Sequence, residues 1–218
     1  MNTPHPTDAI DVDAAIATMT RCYVQGGFWD ERAIRLRPEL RDALDQDRRH
    51  LLEVLAEDDE ALDPEADADA DGNLVGAEAD AIARWMPLRA AHSLGVLRLI
   101  EPIDGMIPVW RAIQCDPEKV RSKLGVHWCW DPNYGGGADC HWPTEYEDKD
   151  LPEILLVGMV PTTSVDWATT MLCAMDFQNG DDERELRLLE DAPVLLVDMH
   201  VAADPVPVPG RLRSGCTA

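Results

Sequence analysis

Apolar residues recur at helical spacing through the first hundred positions of this chain and at strand spacing after them. Ile10, Ile16 and Met19 line a first segment that Asp8 can cap and Gly26-Gly27 can end. A second helix is predicted after Trp29-Asp30, with Ala33, Leu36, Leu40, Leu44, Leu51, Leu52 and Leu55 as its apolar positions. Pro38 marks either a break in it or a fresh first turn. A third helix is predicted from Ala79 to about Leu94, perturbed near Pro87. From Ile107 the period changes: β-favouring runs occur at Ile107–Ile113, Leu124–Trp130, Ile154–Val160, Leu186–Leu188 and Val194–Val201, separated by Pro and Gly.

This pattern predicts an α+β protein. Residues 1–100 form a helical N-terminal region, 101–204 a β-rich domain with a mostly antiparallel sheet, and 205–218 an extended Pro-rich tail. A chain of 218 residues with 45% hydrophobic content can bury a substantial core. No apolar run approaches the roughly 20 residues that cross a bilayer, so no membrane partner is expected. The formal charge of −23, from 42 acidic and 19 basic residues, argues against binding nucleic acid or anionic lipid. Six cysteines scattered without framework spacing, after a start with no basic-then-apolar leader, predict reduced thiols in a cytoplasmic protein.

The acidity is uneven. Between Glu57 and Asp80 there are eleven carboxylates and no Lys or Arg, whereas Arg21 to Arg49 holds seven arginines. Within the acidic stretch, residues 67–78 match the twelve-residue calcium loop of an EF-hand. Asp67, Asp69 and Asp71 supply oxygens at the first, third and fifth places, Gly72 the turn, Asn73 the seventh place, Leu74 the apolar eighth and Glu78 the carboxylate at the twelfth. Hard oxygen donors suit Ca²⁺, although Pro64 falls where an incoming helix should be finishing and no second loop pairs with this one.

Three further pieces carry candidate chemistry: Arg111 within Val109-Trp110-Arg111-Ala112-Ile113, the run His127-Trp128-Cys129-Trp130, and Glu183-Arg184-Glu185. A guanidinium stays charged and presents a planar fork of donors to phosphate oxygens. Indoles offer flat surfaces. Alternate residues on a strand share a face, so Glu183 and Glu185 can point into one cleft, and Trp128 and Trp130 alternate with His127 and Cys129 on two faces.

In this order the pieces resemble the dispersed site of ADP-ribosyltransferases, in particular compact phage and bacterial forms, over about Pro108 to Val201. The resemblance implies a split antiparallel sheet and NAD as cofactor, with Arg111 on its phosphate. It places His127, Trp128, Cys129 and Trp130 around nicotinamide and ribose. It makes Glu185 the catalytic carboxylate, and Glu183 the residue that orients or deprotonates a protein acceptor. The chain departs from the family's Ser-Thr-Ser pattern, Cys129 standing where its serine is looked for. The function expected is therefore mono-ADP-ribosylation of a protein; the alternatives are an inactive binding or virion-associated module on the same scaffold, and a zinc site gathered from Cys115, His127, Cys129, Cys140 and His141.

Overall fold

The computed structural model describes residues 4–27, 29, 39–64, 69, 73–132, 151–177 and 184–201. The chain divides into two compact units, 1–99 with 167–181, and 100–166 with 182–218. Together they hold helices and an antiparallel sheet, an α+β protein. No helix among the described residues is long and apolar enough to cross a membrane.

The helical unit contains α1 (Val12–Gln25), α2 (Glu39–Ala56), α3 (Ala77–Leu97) and α4 (Trp167–Met175). Asp11, rather than Asp8, caps α1: its carboxylate accepts from the Ala14 amide at 3.0 Å, while Asp8 sits in a preceding 3-10 turn, Pro6–Ala9. Gly26, at φ 62°, closes α1 in the left-handed conformation that glycine adopts without steric cost. Helix α2 begins at Glu39, immediately after Pro38, and buries Leu44, Leu51 and Leu52. The residues that would open the longer helix expected there, 31–38, lie outside the described residues.

Helix α3 runs through Pro87 and buries Ala81, Ile82, Met86, Arg89, Ala90, Ser93 and Leu97, a stripe at spacings of three and four. The charged member of that stripe has a defined task. Helix α4 ends in carbonyls that have no partner within the helix, and Arg89 supplies donors to them. Its Nε reaches the Met175 carbonyl at 3.3 Å and its Nη2 the Asp176 carbonyl at 2.6 Å. Ser93 Oγ donates to the Ala174 carbonyl at 2.7 Å. These bonds tie 167–177 to the helices. The single boundary expected near residue 100 makes no provision for that return.

The second unit is built on β1 (Met106–Gln114), β2 (His127–Cys129), β3 (Glu153–Pro161), β4 (Glu185–Arg187) and β5 (Leu195–Val201). Every pairing is antiparallel, in the order β4-β2-β1-β3-β5, so the described strands make one sheet rather than two halves. Register puts Ile107, Val109 and Ile113 on the same face as Ile154, Leu156 and Val160, and all six are buried. Trp128 and Leu186, a cross-strand pair, are fully buried. Their neighbours His127, Cys129, Glu185 and Arg187 fall on the opposite face.

Candidate functional site

The β1–β2 ladder is interrupted, and the interruption creates the candidate site. Trp110 pairs with Cys129, the one register pair these strands share among the described residues. Next to it the Arg111 side chain takes over from backbone bonding: Nη1 donates to the His127 carbonyl at 2.7 Å. Space for the guanidinium exists because residue 125 is glycine. Gly125 has φ 59°, and a Cβ there would lie 2.7 Å from Arg111 Nη1. Burial pushes the Arg111 pKa below its usual range, and the nearby Glu185 carboxylate opposes that shift.

Across β2 and β4, Cys129 faces Glu185 and His127 faces Arg187. The Glu185 side chain is only 8% exposed, and its Oε1 is bonded to His127 Nδ1. Arg187 Nη1 meets the other ring nitrogen, Nε2. Arginine cannot accept a hydrogen bond, so Nε2 is the acceptor and Nδ1 carries the proton donated to Glu185. The arrangement is a chain, Arg187 to His127 to Glu185, with Arg111 held at the backbone of the same histidine.

The structure thus gathers Arg111, His127 and Glu185 at one corner of the sheet. Trp128 and Cys129 have a different role. Trp128 is fully buried with its indole N–H on the Gly125 carbonyl at 3.3 Å, and Cys129 is buried with Sγ 3.3 Å from the Asp131 carbonyl. Both are interior residues, because β2 presents each to a packed layer rather than to a cleft, and neither offers a surface to a nicotinamide. Trp130, just past β2, is part-exposed. Its indole N–H is buried without an acceptor among the described residues, and the Arg184 guanidinium lies 5.7 Å from its ring centroid.

Glu183 lies outside the described residues. Alternation cannot be carried back to it from Glu185, since Arg184 between them has φ 49° and is not extended. Arg187 was not among the residues singled out from sequence. Its signal was available: it stands two positions after Glu185 on the same strand and therefore on the same face.

Comparison with protein-family models, with curated proteins and with solved structures finds no match.

In the acidic segment, Asp67 and Asp71 lie outside the described residues. Asp69 Oδ1 accepts from the Asn73 amide at 2.9 Å, and the Asp69 amide donates to the Asn73 carbonyl at 2.9 Å. Leu74 is buried, as the eighth loop position requires, and Glu78 stands in the first turn of α3. The entering side departs from the EF-hand pattern, because α2 ends at Ala56, well before residue 67. Glu78 Oε1 accepts from the Asp63 amide at 3.2 Å. Among the described residues no group of three or more His, Cys, Asp or Glu is gathered to hold a metal. Of the zinc candidates, Cys140 and His141 lie outside the described residues, and burial raises the Cys115 pKa, which disfavours the thiolate that zinc needs.

Proposed function

We propose that the chain is an NAD-dependent mono-ADP-ribosyltransferase acting on a protein acceptor, with a single antiparallel sheet standing in for the split sheet that the resemblance implies. The observation that carries this reading is the convergence of Arg111, His127 and Glu185, far apart in sequence, at one corner of the sheet. NAD would supply a ribose whose bond to nicotinamide breaks with the electron pair leaving on the nicotinamide nitrogen, while the acceptor nucleophile bonds C1′ and gives up a proton.

Each residue has a part in that chemistry. Glu185, shielded from water and oriented by His127 Nδ1–H, would set its negative charge against the cationic sugar and accept from a ribose hydroxyl. His127 acts on Glu185 rather than on the ribose, because Nδ1 and Nε2 are both engaged. Arg111 has spent one donor on a backbone carbonyl and keeps others for a phosphate oxygen. The Trp130 N–H, which has no acceptor among the described residues, would be satisfied by a carboxamide oxygen such as that of nicotinamide. Glu183 is proposed, on the resemblance alone, to handle the acceptor.

Labelled NAD incubated with mixed cell proteins tests the reading. Wild type is expected to transfer label or release nicotinamide, and Glu185→Gln to lose about 100-fold or more in rate, the scale seen when one transition-state contact is removed. A second reading is favoured by the mutual satisfaction of His127, Glu185 and Arg187: a structural tie between β2 and β4 in an inactive binding or virion-associated module. Turnover absent from wild type across many acceptors, with Glu185→Gln lowering the melting temperature, would establish that reading and sink the transferase.

We also propose that residues 67–78 take a calcium ion through Asp67, Asp69, Asp71, Asn73 and Glu78, supported by the placement of Leu74 and Glu78.

A further inference from the structure

The two edges of the sheet are built differently. β4, at one end of the strand order, is three residues long and carries Glu185 and Arg187, the short charged form that discourages further pairing. β5, at the other end, is seven residues long. No described strand pairs with its outer side. Its sequence Leu195-Leu196-Val197-Asp198-Met199-His200-Val201 leaves Leu195 at 63%, Val197 at 62%, Met199 at 43% and Val201 at 45% exposed. Four large apolar side chains in one strand, beside an outer edge that no described strand pairs with, form a template for another strand; the Met199 amide meanwhile donates to Asp198 Oδ1 at 2.8 Å, a bond that an incoming strand would displace.

The identity of that strand follows from the charges. A two-fold axis perpendicular to the sheet pairs β5 antiparallel with its own copy and keeps both faces continuous only when paired residues are of like parity. An axis through Asp198 would set Asp198 against itself. An axis through Met199 sets Asp198 against His200 of the second copy and His200 against its Asp198, with Met199 meeting Met199. Within one chain the same two polar groups already attract, His200 Nε2 lying 3.0 Å from Asp198 Oδ2. Register on the inner side limits the contact: the β3–β5 ladder is regular from Val201 to Asp198 and is broken by a bulge beyond it, at Val197. A bulge re-aims the strand and ends regular pairing, so the matched stretch is short and its register is fixed.

We propose that the outer edge of β5 is a homodimer interface, in which a second copy of this chain pairs antiparallel about Met199 and extends the five-stranded sheet across the two-fold axis. Met199 and Val201 lie on the same face of the sheet as the buried Leu156 and Ile154, so in the dimer the two copies' apolar rows become continuous. The charge of −23 on each chain opposes association, so the dimer tightens as salt screens that repulsion.

Sedimentation of the full chain over a range of concentrations, at low and at moderate salt, is the test. Wild type is expected to dimerise, more tightly at moderate salt. Met199→Lys sets two cations against each other at the axis and is expected to give a monomer with unchanged circular dichroism and the melting temperature of wild type diluted to monomer. His200→Asp opposes like charges at two symmetric positions and is expected to weaken the dimer about tenfold, two cross-strand pairs being altered together. Asp198→His added to it restores opposite partners and recovers the affinity. A wild type that stays monomeric at the highest concentration and salt overturns the proposal. So does a dimer that survives Met199→Lys, or a double swap that fails to rescue the single one.

Discussion

Replacing Gly125 by alanine isolates the device that holds Arg111 in the broken ladder. Two costs arise. An alanine at φ 59° occupies the left-handed region, at about 1–2 kcal/mol. Its Cβ would also lie 2.7 Å from Arg111 Nη1, so the guanidinium retreats and its bond to the His127 carbonyl is lost. Hydrogen bonds that involve a charged group contribute about 1.5–3 kcal/mol, which brings the total to roughly 3–5 kcal/mol. The two terms separate in a double-mutant cycle with Arg111→Met, where no guanidinium remains to clash and Gly125→Ala is expected to cost only about 1–2 kcal/mol. Equilibrium urea unfolding supplies the free energies, with a constant slope as the check that each variant unfolds the same surface. Amide exchange in β1 and β2 reports on this sheet separately from the helices. Costs that add to within about 0.5 kcal/mol would show that Arg111 and Gly125 do not depend on each other, and the account of the broken ladder would fail.

Three other outcomes are expected. Burial and the neighbouring Asp176 charge push Asp47 up to about 6 from 3.8, so its contribution is intact below about pH 4 and is lost as pH rises through about 6. Asp47→Asn should therefore match wild type in acid and exceed it above pH 6 by on the order of 1 kcal/mol, after screening of a part-exposed group is allowed for; melting curves over pH 4–8 with no divergence would refute this. Arg89→Met strips the donors from the Met175 and Asp176 carbonyls and should cost about 2–4 kcal/mol in urea unfolding, with an unchanged midpoint counting against the capping role. Millimolar Ca²⁺ should raise the melting temperature of wild type but not of Glu78→Gln, and no rise in wild type would remove the calcium loop.

β1 was legible from alternation: Ile107 and Val109 are buried between part-exposed neighbours, and that alternation is local information. Helix α4 was not legible. Trp167-Ala168-Thr169-Thr170-Met171-Leu172-Cys173-Ala174-Met175 carries no charge and no polar stripe, so nothing in its spacing separates helix from strand. Asp8 and Asp11 are equivalent caps in sequence, and the 3-10 turn Pro6–Ala9 that takes up Asp8 decides in favour of the second. At the site, Glu185 and His127 could be picked out by residue type, but their bond joins positions 58 apart and depends on strand register. Arg111 was read as a ligand-facing cation. The carbonyl it meets is exposed by a gap in the ladder, a feature of the sheet rather than of the peptide around Arg111. Trp128 and Trp130 look alike in the sequence and part company in the fold, one in the interior and the other at the end of its strand.

The return of 167–181 to the helices makes this chain poorly suited to being cut in two. Its halves are joined at three places, near 99/100, 166/167 and 181/182. A fragment ending at Leu99 would keep Arg89 and Ser93 but discard the Met175, Asp176 and Ala174 carbonyls, so a buried cation and a buried hydroxyl would lose those acceptors. A fragment beginning at Ile100 would carry a nine-residue apolar helix stripped of its surroundings. Separation at the 99/100 junction therefore damages both products.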